Sequence, residues 1–399
     1  MGNQLAVVDE PSAVREKSSG LGILASYDQV NQNRLLLRAH GCADHSPEAG
    51  ELLARGGRWE LRQVSANEMQ TLRATDAHAW QPVVPNSTIA RQFRLEQRNA
   101  KGGPNPDVQQ VVDRIDPARW FADLETLAAW DRSSFATTSL EQARDWIALR
   151  FDGLGLDDGI QPFNMGGAGG GSITRFNVTG AWTGSSQPDR WIIVGAHYDS
   201  RNASGSSTTN TPGAEDNASG CAGVIELARA LLPSQPSRSI LFMCYAGEEQ
   251  GLLGSRAHVQ TLINAGTLST VDAVVIMDMI GYSQDSDLEA LYESSSAHSS
   301  FLMDFGDAAT TYVPELSVIT STNPFGSDHV PYLNAGVQTV LAIENDWDIY
   351  PHYHRSTDLP ANIGPNVQPM GGAILKTNAA VLADLVGVQN SGVFADGFE

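Results

Sequence analysis

The sequence predicts an α/β fold in which helices flank a mainly parallel central sheet. Two observations support this class. From residue 191 onwards, four apolar runs rich in strand-forming residues recur, namely WIIVGA (191–196), SILFMCYA (239–246), DAVVIMDM (272–279) and TVLAI (339–343). Helical stretches such as residues 219–232 separate these runs. Continuous apolar strands that alternate with helices are typical of a parallel sheet that is buried on both faces.

Two helices are predicted ahead of these strands. Residues 118–130 have helical periodicity. Ser139-Leu-Glu-Gln142 has the pattern of a capping box, which predicts the start of a second helix that ends at Gly153. We expect these helices and the four strands to belong to one large α/β domain over residues 107–388.

A small α/β module is predicted over residues 34–96, nearer the amino terminus. RLLLRAH (34–40) and RWELRQV (58–64) have the composition of strands. Ser65-Ala-Asn-Glu68 is a capping box that predicts the start of a short helix. Strand and helix patterns of this kind indicate a module with a core of its own.

Three further segments complete the expected division of the chain. The stretch 97–106, QRNAKGGPNP, is polar, rich in Gly and Pro and without periodicity, so it predicts a linker. We expect residues 1–33 to be irregular and residues 389–399 to form a short, loosely held tail.

Composition excludes several classes of function. The formal net charge of −21 argues against binding to nucleic acid through its phosphates. No apolar run is long enough to span a membrane, and a strongly acidic surface favours a monomer. The three cysteines, Cys42, Cys221 and Cys244, do not suggest a disulfide framework, and the last two lie in apolar runs as buried thiols would.

Side chains able to bind metal stand at or just after the ends of the predicted strands, where ligands collect in such sheets. In chain order they are His197, Asp199, Asp216, Glu248, Glu249, Asp278, His352 and His354. Two His and three carboxylates suit two zinc ions that share one bridging carboxylate. Taken alone each is weak, since Asp216, for example, could be a helix N-cap. Their joint occurrence favours a metal site, but spacing does not choose between His352 and His354.

Glu248 and Glu249 form the most informative pair. Neighbouring side chains diverge, so one carboxylate can bind metal while the other points at a metal-bound water. Such a water needs a general base that delivers its proton to the leaving amine. The pair therefore indicates metal-dependent hydrolysis.

Five motifs carry a resemblance to a known family. HYDS, GAEDNASG, YAGEEQGLLGS, MDM and YHRSTD resemble the motifs of the co-catalytic di-zinc aminopeptidases. That group includes secreted bacterial leucyl aminopeptidases and, more distantly, glutamate carboxypeptidases and glutaminyl cyclases. The resemblance covers about residues 107–388 and none of residues 1–106. It implies the zinc-exopeptidase form of the α/β fold and hydrolysis of the first peptide bond of peptides with a free N-terminus.

The resemblance also implies a role for each site residue. It assigns five protein ligands to two zinc ions per chain: His197 and Asp278 to one, Glu249 and His354 to the other, and Asp216 as the bridge. Glu248 would be the general base for a water that bridges the metals. Asp199 would orient the ligand imidazole, as carboxylates behind metal ligands commonly do. The Asp216–Asn217 peptide bond is expected to be cis.

One loop departs from the family pattern. Some leucyl aminopeptidases carry Cys and Tyr just before Ser-Asp-His, whereas this chain has Asn323-Pro-Phe-Gly326. This difference leaves the shape of the pocket, and hence the preferred side chain, open. Candidates for lining the pocket are Met279, Phe325, Trp347, Tyr350 and Tyr353, with ordinary core packing as the alternative. We expect His329 to have a structural role.

Other functions remain open on the same residues. A carboxypeptidase would need a basic group such as Arg201 or Arg355 for the substrate carboxylate, and a glutaminyl cyclase resembles a one-zinc version of the site. A non-catalytic binding ectodomain would keep only the fold. The first residues lack the pattern of a signal peptide. The protein is then either cytosolic or a mature secreted chain with an added Met1, and the module at 34–96, which resembles a prodomain, favours secretion.

Overall fold

The computed structural model describes residues 2–7, 30–39, 49–56, 59–75, 80–83, 87–94, 103–136, 138–166, 171–203, 209–322 and 326–388. The strands in these ranges are β1 (Gly2–Val7), β2 (Leu35–Ala39), β3 (Glu51–Gly56), β4 (Trp59–Gln63), β5 (Trp80–Pro82), β6 (Ser87–Arg94), β7 (Asp157–Gly166), β8 (Ser172–Trp182), β9 (Gln187–His197), β10 (Arg238–Tyr245), β11 (Val271–Met277), β12 (Glu289–Glu293), β13 (Ser317–Ser321) and β14 (Thr339–Glu344).

The α-helices of the same ranges are α1 (Ala66–Thr75), α2 (Pro106–Asp113), α3 (Pro117–Ala128), α4 (Thr138–Gly153), α5 (Gly220–Leu231), α6 (Leu253–Ala265), α7 (Ser299–Tyr312), α8 (His329–Asn334) and α9 (Val367–Val386). The predicted helix at 118–130 corresponds to α3. The second predicted helix begins at Thr138, one residue before the expected cap. The Ser139 hydroxyl donates to the Asp131 carbonyl at 2.5 Å and not to its own helix.

One large sheet contains ten of the described strands in the order β1-β6-β13-β12-β14-β11-β9-β10-β8-β7. Its centre, β14-β11-β9-β10, is parallel throughout. Antiparallel strands flank this centre, with β8 paired to β10 and β12 paired to β14. The four predicted apolar runs fall in these central strands, so the expected mainly parallel α/β fold is confirmed.

Both faces of the central strands are buried, which explains their continuous apolar sequence. Along β9, Ile192 and Val194 pack in the larger hydrophobic cluster, whereas Ile193 packs in the cluster on the other face. The expected burial of Cys221 and Cys244 is confirmed, while Cys42 lies outside the described residues. Within the described ranges, no helix has the length and apolarity needed to cross a bilayer.

The amino-terminal part contains a second sheet, with four described strands in the order β3-β4-β2-β5. Leu36, Val64, Leu72 and Trp80 form its small core. The capping box at α1 is confirmed, because Ser65 N donates to Glu68 Oε2 at 2.7 Å and Glu68 N donates to Ser65 Oγ at 3.2 Å.

Three details differ from the expected division of the chain. β1 lies within residues 1–33, which we expected to be irregular, because its main chain pairs with β6. β6 itself belongs to residues 34–96 but pairs with β13 at the edge of the large sheet. α2 begins at Pro106, the last residue of the expected linker, since Asn105 caps it and Pro suits the first turn. The division into domains stays a prediction.

Candidate active site

The carboxyl ends of the four parallel strands bring the predicted metal ligands to one edge of the sheet. His197 is the last residue of β9, and Asp278 directly follows β11. Glu248 and Glu249 follow β10, and His354 lies in the loops after β14. Asp216 lies in an irregular turn, Ala214–Ser219, that leads into α5. The position is the one at which ligand sites form in parallel sheets.

Two groups of side chains meet there. In the first, ligand atoms of His197, Glu248 and Asp278 all lie within 4.8 Å of one another. His197 Nε2 is 3.4 Å from Asp278 Oδ1 and 4.0 Å from Glu248 Oε2. The first group therefore unites one imidazole with two carboxylates that come from neighbouring strands.

The second group consists of Asp216, Glu249 and His354, with ligand atoms again within 4.8 Å of one another. His354 Nε2 is 3.0 Å from Asp216 Oδ2 and 3.5 Å from Glu249 Oε2. His352, the alternative left open by spacing, contacts Thr357 Oγ1 through Nδ1 at 2.9 Å. Of the two histidines, His354 is the one that lies among these carboxylates.

Asp216 connects the two groups. Its Oδ2 faces His354, while its Oδ1 lies 3.4 Å from His197 Nε2. One carboxylate thus presents a different oxygen atom to each imidazole. This arrangement fits a carboxylate that bridges two metal ions.

The electrostatics of the site are dominated by buried negative charge. Burial, with repulsion from nearby carboxylates, raises the pKa of both Glu248 and Glu249 well above the usual range. Burial also acts on Asp216, but its contacts with the two imidazoles outweigh burial and lower its pKa. The ionised form of the two buried glutamates is therefore unfavourable unless a positive charge nearby compensates it.

The residues fit metal ions. Both carboxylate oxygens of Glu248 and Glu249, and Oδ1 of Asp278, are buried and have no hydrogen-bond partner among the described residues. Buried polar atoms are normally paired, so unpaired atoms that converge on a common space call for a ligand. Imidazole nitrogens with carboxylate oxygens form a donor set that suits zinc.

Asp199 supports two of these residues. His197 Nδ1 lies 3.0 Å from the main-chain oxygen of Asp199 and 3.5 Å from its carboxylate Oδ1. The carboxylate accepts the Glu248 N–H at 3.3 Å and the Ser134 hydroxyl at 2.7 Å. Asp199 therefore touches the ligand imidazole with its main chain and the loop after β10 with its side chain.

Sequence reasoning missed two carboxylate contacts. The Asp358 carboxylate accepts the Glu215 and Asp216 N–H groups at 3.0 and 3.1 Å, so it holds the main chain of the shared residue. Ser327 Oγ donates to Asp278 Oδ2 at 2.7 Å. Signals existed for both, since Asp358 ends the motif YHRSTD and Ser327 begins Ser-Asp-His. The interpretation of each motif rests on its other residues.

Asn217 was also missed as a positioning residue. The Asp216–Asn217 peptide bond is cis, as expected. Asn217 Nδ2 donates to Met277 O at 3.0 Å, and its Oδ1 accepts the Met279 N–H at 3.2 Å. The side chain thus ties the turn that carries Asp216 to the end of β11, where Asp278 follows.

Three of the predicted pocket residues, Met279, Tyr350 and Tyr353, lie beside the candidate metal ligands or beside Asp358. Met279 is buried with a positive φ of 51°. The Tyr350 hydroxyl donates to Asp358 Oδ1 at 2.8 Å, and the Tyr353 ring stacks on His354 with centroids 3.8 Å apart. Phe325 lies outside the described residues. A role for these four in lining a substrate pocket stays a prediction.

Two further candidates have ordinary structural surroundings. Trp347 is buried beside Tyr353, with ring centroids 5.9 Å apart in an edge-on arrangement. His329 is buried as the first residue of α8, directly after Asp328. These positions agree with packing roles for both side chains.

Comparison with known proteins gives the family. Residues 177–392, more than half of the chain, match the model of Peptidase family M28. The chain belongs to peptidase family M28. The family that the motifs had suggested is confirmed.

The relatives of this M28 peptidase include proteins named as zinc metalloproteases and proteins named as leucine aminopeptidases. A "Probable zinc metalloprotease" of Pyricularia oryzae is 34% identical over 229 residues, which are 53% of this chain and 44% of that protein. The chain thus spans less than half the length of such relatives. "Leucine aminopeptidase 1" of Sclerotinia sclerotiorum is 23% identical over 83% of this chain and 87% of that protein.

Solved structures share the fold. An aminopeptidase from Aneurinibacillus sp. strain AM-1 superposes with a TM-score of 0.59 at 15% identity, over 71% of this chain and 97% of that chain. A glutaminyl cyclase from Bacteroides thetaiotaomicron superposes with a TM-score of 0.54 at 18% identity, over 67% and 97%. At these identities the similarity shows the fold alone. The reaction has to be inferred from the residues of the site.

Proposed function

We propose that this M28 peptidase is an aminopeptidase that uses two zinc ions to remove single residues from the free amino terminus of peptides. The observation that carries the proposal is Asp216, whose two oxygens face two separate groups of an imidazole and carboxylates. A carboxylate shared in this way supports a pair of metal ions. The leucine aminopeptidase of S. sclerotiorum, similar over most of both chains, supports the reaction.

Five side chains would hold the two ions. His197 and Asp278 would bind one, Glu249 and His354 the other, and Asp216 both. Zinc, when bound, acts as a Lewis acid that lowers the pKa of water and polarises a carbonyl oxygen. Calcium and magnesium fit less well, because they prefer oxygen ligands to imidazole nitrogen.

Glu248 would act as the general base. Its buried carboxylate belongs to the first group, with Oε2 4.0 Å from His197 Nε2, and from there it would take a proton from the attacking water. The hydroxyl of that water adds to the carbonyl carbon, and the C–N bond then breaks. Glu248 delivers the proton to the nitrogen that leaves, so hydrolysis is balanced without another acid.

The charges around the site argue against recognition of a substrate carboxylate. Asp216, Glu248, Glu249 and Asp278 are buried carboxylates, and their four negative charges match the positive charges of two zinc ions. Arg201, which a carboxypeptidase could have used for a substrate carboxylate, has its Nε 3.5 Å from Glu249 Oε2. Its charge is therefore directed at a metal ligand.

A comparison of blocked and free peptides tests this proposal. Aminoacyl chromogenic amides and peptides with a free amine should be cleaved, their N-acetylated forms should not, and a chelator should stop the reaction. Release of carboxyl-terminal residues from blocked peptides would indicate a carboxypeptidase. Conversion of amino-terminal Gln to pyroglutamate without release of a residue would indicate a cyclase.

We further propose that residues 34–96 form a prodomain of a secreted, monomeric enzyme. A separate small core and the pairing of β6 with β13 support a module that folds on the catalytic domain. Many secreted peptidases carry prosegments that restrain the catalytic domain or assist its folding. Sizing of the purified protein in solution tests the monomer, and localisation in the source cells tests secretion.

A further inference from the structure

A short segment outside every motif contacts the main chain of three ligand-bearing loops. It comprises Asp131–Ser134, between α3 and α4, and precedes the region that matches the family model. Arg132, Ser133 and Ser134 are almost completely buried. We propose that Arg132 and Ser134 are positioning residues that set the distances between the loops carrying His197, Asp216 and Glu248. This inference rests on the proposed metal site.

Arg132 clamps two of these loops with one guanidinium group. Its Nε donates to Tyr198 O at 2.8 Å, beside His197. Its Nη1 donates to Pro212 O and its Nη2 to Gly213 O, both at 2.6 Å, on the approach to Asp216. The loops that carry one ligand of the first group and the shared carboxylate are therefore fixed to the same planar group.

The remaining bonds of Arg132 fix the clamp itself. Nη1 also donates to Leu127 O at 2.5 Å, near the end of α3. The main-chain oxygen of Arg132 accepts the Ser200 N–H at 3.1 Å, and its N–H donates to Thr211 O at 3.4 Å. The side chain and the main chain of Arg132 thus hold the same two loops, and the bond to Leu127 O fixes the side chain to the end of α3.

The chemistry of this clamp argues for positioning beyond stability. All of these side-chain bonds go to neutral carbonyl oxygens, and burial lowers the pKa of Arg132 to about 10. Burying a charge in this way is costly, and a well-packed apolar side chain would fill the same volume at lower cost. What the guanidinium adds is a rigid fork with fixed donor directions, which Lys cannot reproduce.

Ser134 does the same for the loop that carries Glu248. Its hydroxyl donates to Asp199 Oδ2 at 2.7 Å and accepts the Gly247 N–H at 2.9 Å. The other oxygen of Asp199 accepts the Glu248 N–H at 3.3 Å. Ser134 and Asp199 therefore hold the main chain of Gly247 and Glu248 against the end of β9.

Metal affinity should depend on these contacts because the ligands come from separate loops. If the loop of Asp216 shifts against that of His197, the shared carboxylate is displaced in both groups at once. Loss of residues that orient metal ligands typically lowers metal affinity by roughly 10- to 100-fold. The same order is expected here.

Zinc binding by the full chain tests the inference, with Zn²⁺ titrated against a competing chelator. Arg132→Lys should lower zinc affinity by roughly 10- to 100-fold. Arg114→Lys is the matched control, because Arg114 is partly buried and Nη1 donates to Ala230 O at 3.0 Å, away from the ligands. The control should bind zinc as the wild type does.

Ser134→Ala keeps the test decisive if Arg132→Lys does not fold. It should weaken zinc binding and lower kcat at unchanged KM, since Glu248 loses its fixed position. Ser239→Ala is its control, because the Ser239 hydroxyl likewise makes one bond in each direction: it donates to the Pro188 carbonyl at 2.7 Å and accepts the Gly184 N–H at 2.9 Å. Ser239 lies at the opposite end of β10.

The outcomes separate this inference from the proposed function. If the wild type binds zinc and cleaves peptides but both variants match their controls, the positioning role is refuted and the function stands. If the wild type binds no zinc, both the positioning role and the proposed function are refuted. Weaker zinc binding by folded Arg132→Lys or Ser134→Ala, with normal controls, supports the inference.

Discussion

Substitutions of Glu248 and Glu249, made one at a time, should affect turnover and zinc content differently. Glu248→Gln keeps the size of the side chain and its reach but cannot accept a proton. Glu249→Ala removes one of the three protein ligands proposed for the second ion. The first change should leave zinc bound and slow turnover, whereas the second should release zinc.

The structure sets the expected size of each effect. Glu248 is fully buried, and Gln has nearly the same volume, so no cavity forms. Loss of a general base then lowers kcat by roughly 10²- to 10⁴-fold, or about 3–5 kcal/mol of activation free energy. KM should stay near normal, because the proton moves only in the transition state. For Glu249→Ala, zinc content should fall from two ions toward one.

Elemental analysis and steady-state kinetics on the same preparations measure both effects. Glu226→Gln is the matched control: Glu226 is also fully buried, but it pairs with Arg119 at 2.6 Å on α5, away from the ligands. Its substitution should lower the free energy of unfolding and leave kcat and zinc content unchanged. It thus separates a buried charge in general from a charge in the site.

Two results would refute the assignment. Near-normal kcat for Glu248→Gln would show that another group accepts the proton. Loss of zinc from Glu248→Gln, together with full zinc in Glu249→Ala, would show that the two roles are reversed. The second result has a structural basis, since Glu248 Oε2 lies within 4.0 Å of His197 Nε2.

Four further predictions concern the metal, pH, the backbone and the linker. Chelation should abolish activity and lower the melting temperature, and added zinc should restore both; full activity of verified metal-free protein would contradict this. Burial lowers the pKa of His258 from 6.5 to about 4. As the pH falls, the unfolded chain therefore takes up the proton before the folded chain does, and the free energy of unfolding should fall by about 3 kcal/mol between pH 6.5 and pH 4. His258→Asn should remove that loss in unfolding experiments at several pH values. Gly213→Ala should lower zinc content, because φ is +49° and a Cβ would collide with the main-chain oxygen of Asp216; normal zinc content would contradict it. Cleavage within 97–106 should change turnover or refolding yield, and no change in either would leave residues 34–96 as an accessory module.

The central sheet and the convergence of the candidate metal ligands could be predicted from sequence. Runs such as WIIVGA have no polar alternation because both faces of β9 are buried. The strand ends then place His197 and Asp278 side by side, since β9 and β11 are parallel neighbours. Local patterns carried this much, whereas the preference for His354 over His352 came from the family resemblance.

The edge of the large sheet could not be predicted in this way. β6 pairs with β13, more than two hundred residues later in the chain, and β1 pairs with β6. Pairing at an edge uses main-chain hydrogen bonds, which nearly any sequence can make. Residues 1–33 therefore looked irregular although Gly2–Val7 form a strand.

The difference between ligands and positioning residues has a chemical cause. A zinc ligand must be His, Cys, Asp or Glu, so its identity is visible in the sequence wherever the fold places it. Holding a loop requires only a donor or acceptor that reaches a main-chain group, which Arg132, Ser134 and Asn217 supply with three different chemistries. Only the folded chain shows which of its many Arg, Ser and Asn side chains do so. A site of this kind should therefore tolerate no change of its ligands, while the residues that hold them can be exchanged wherever a different side chain reaches the same carbonyl or N–H group.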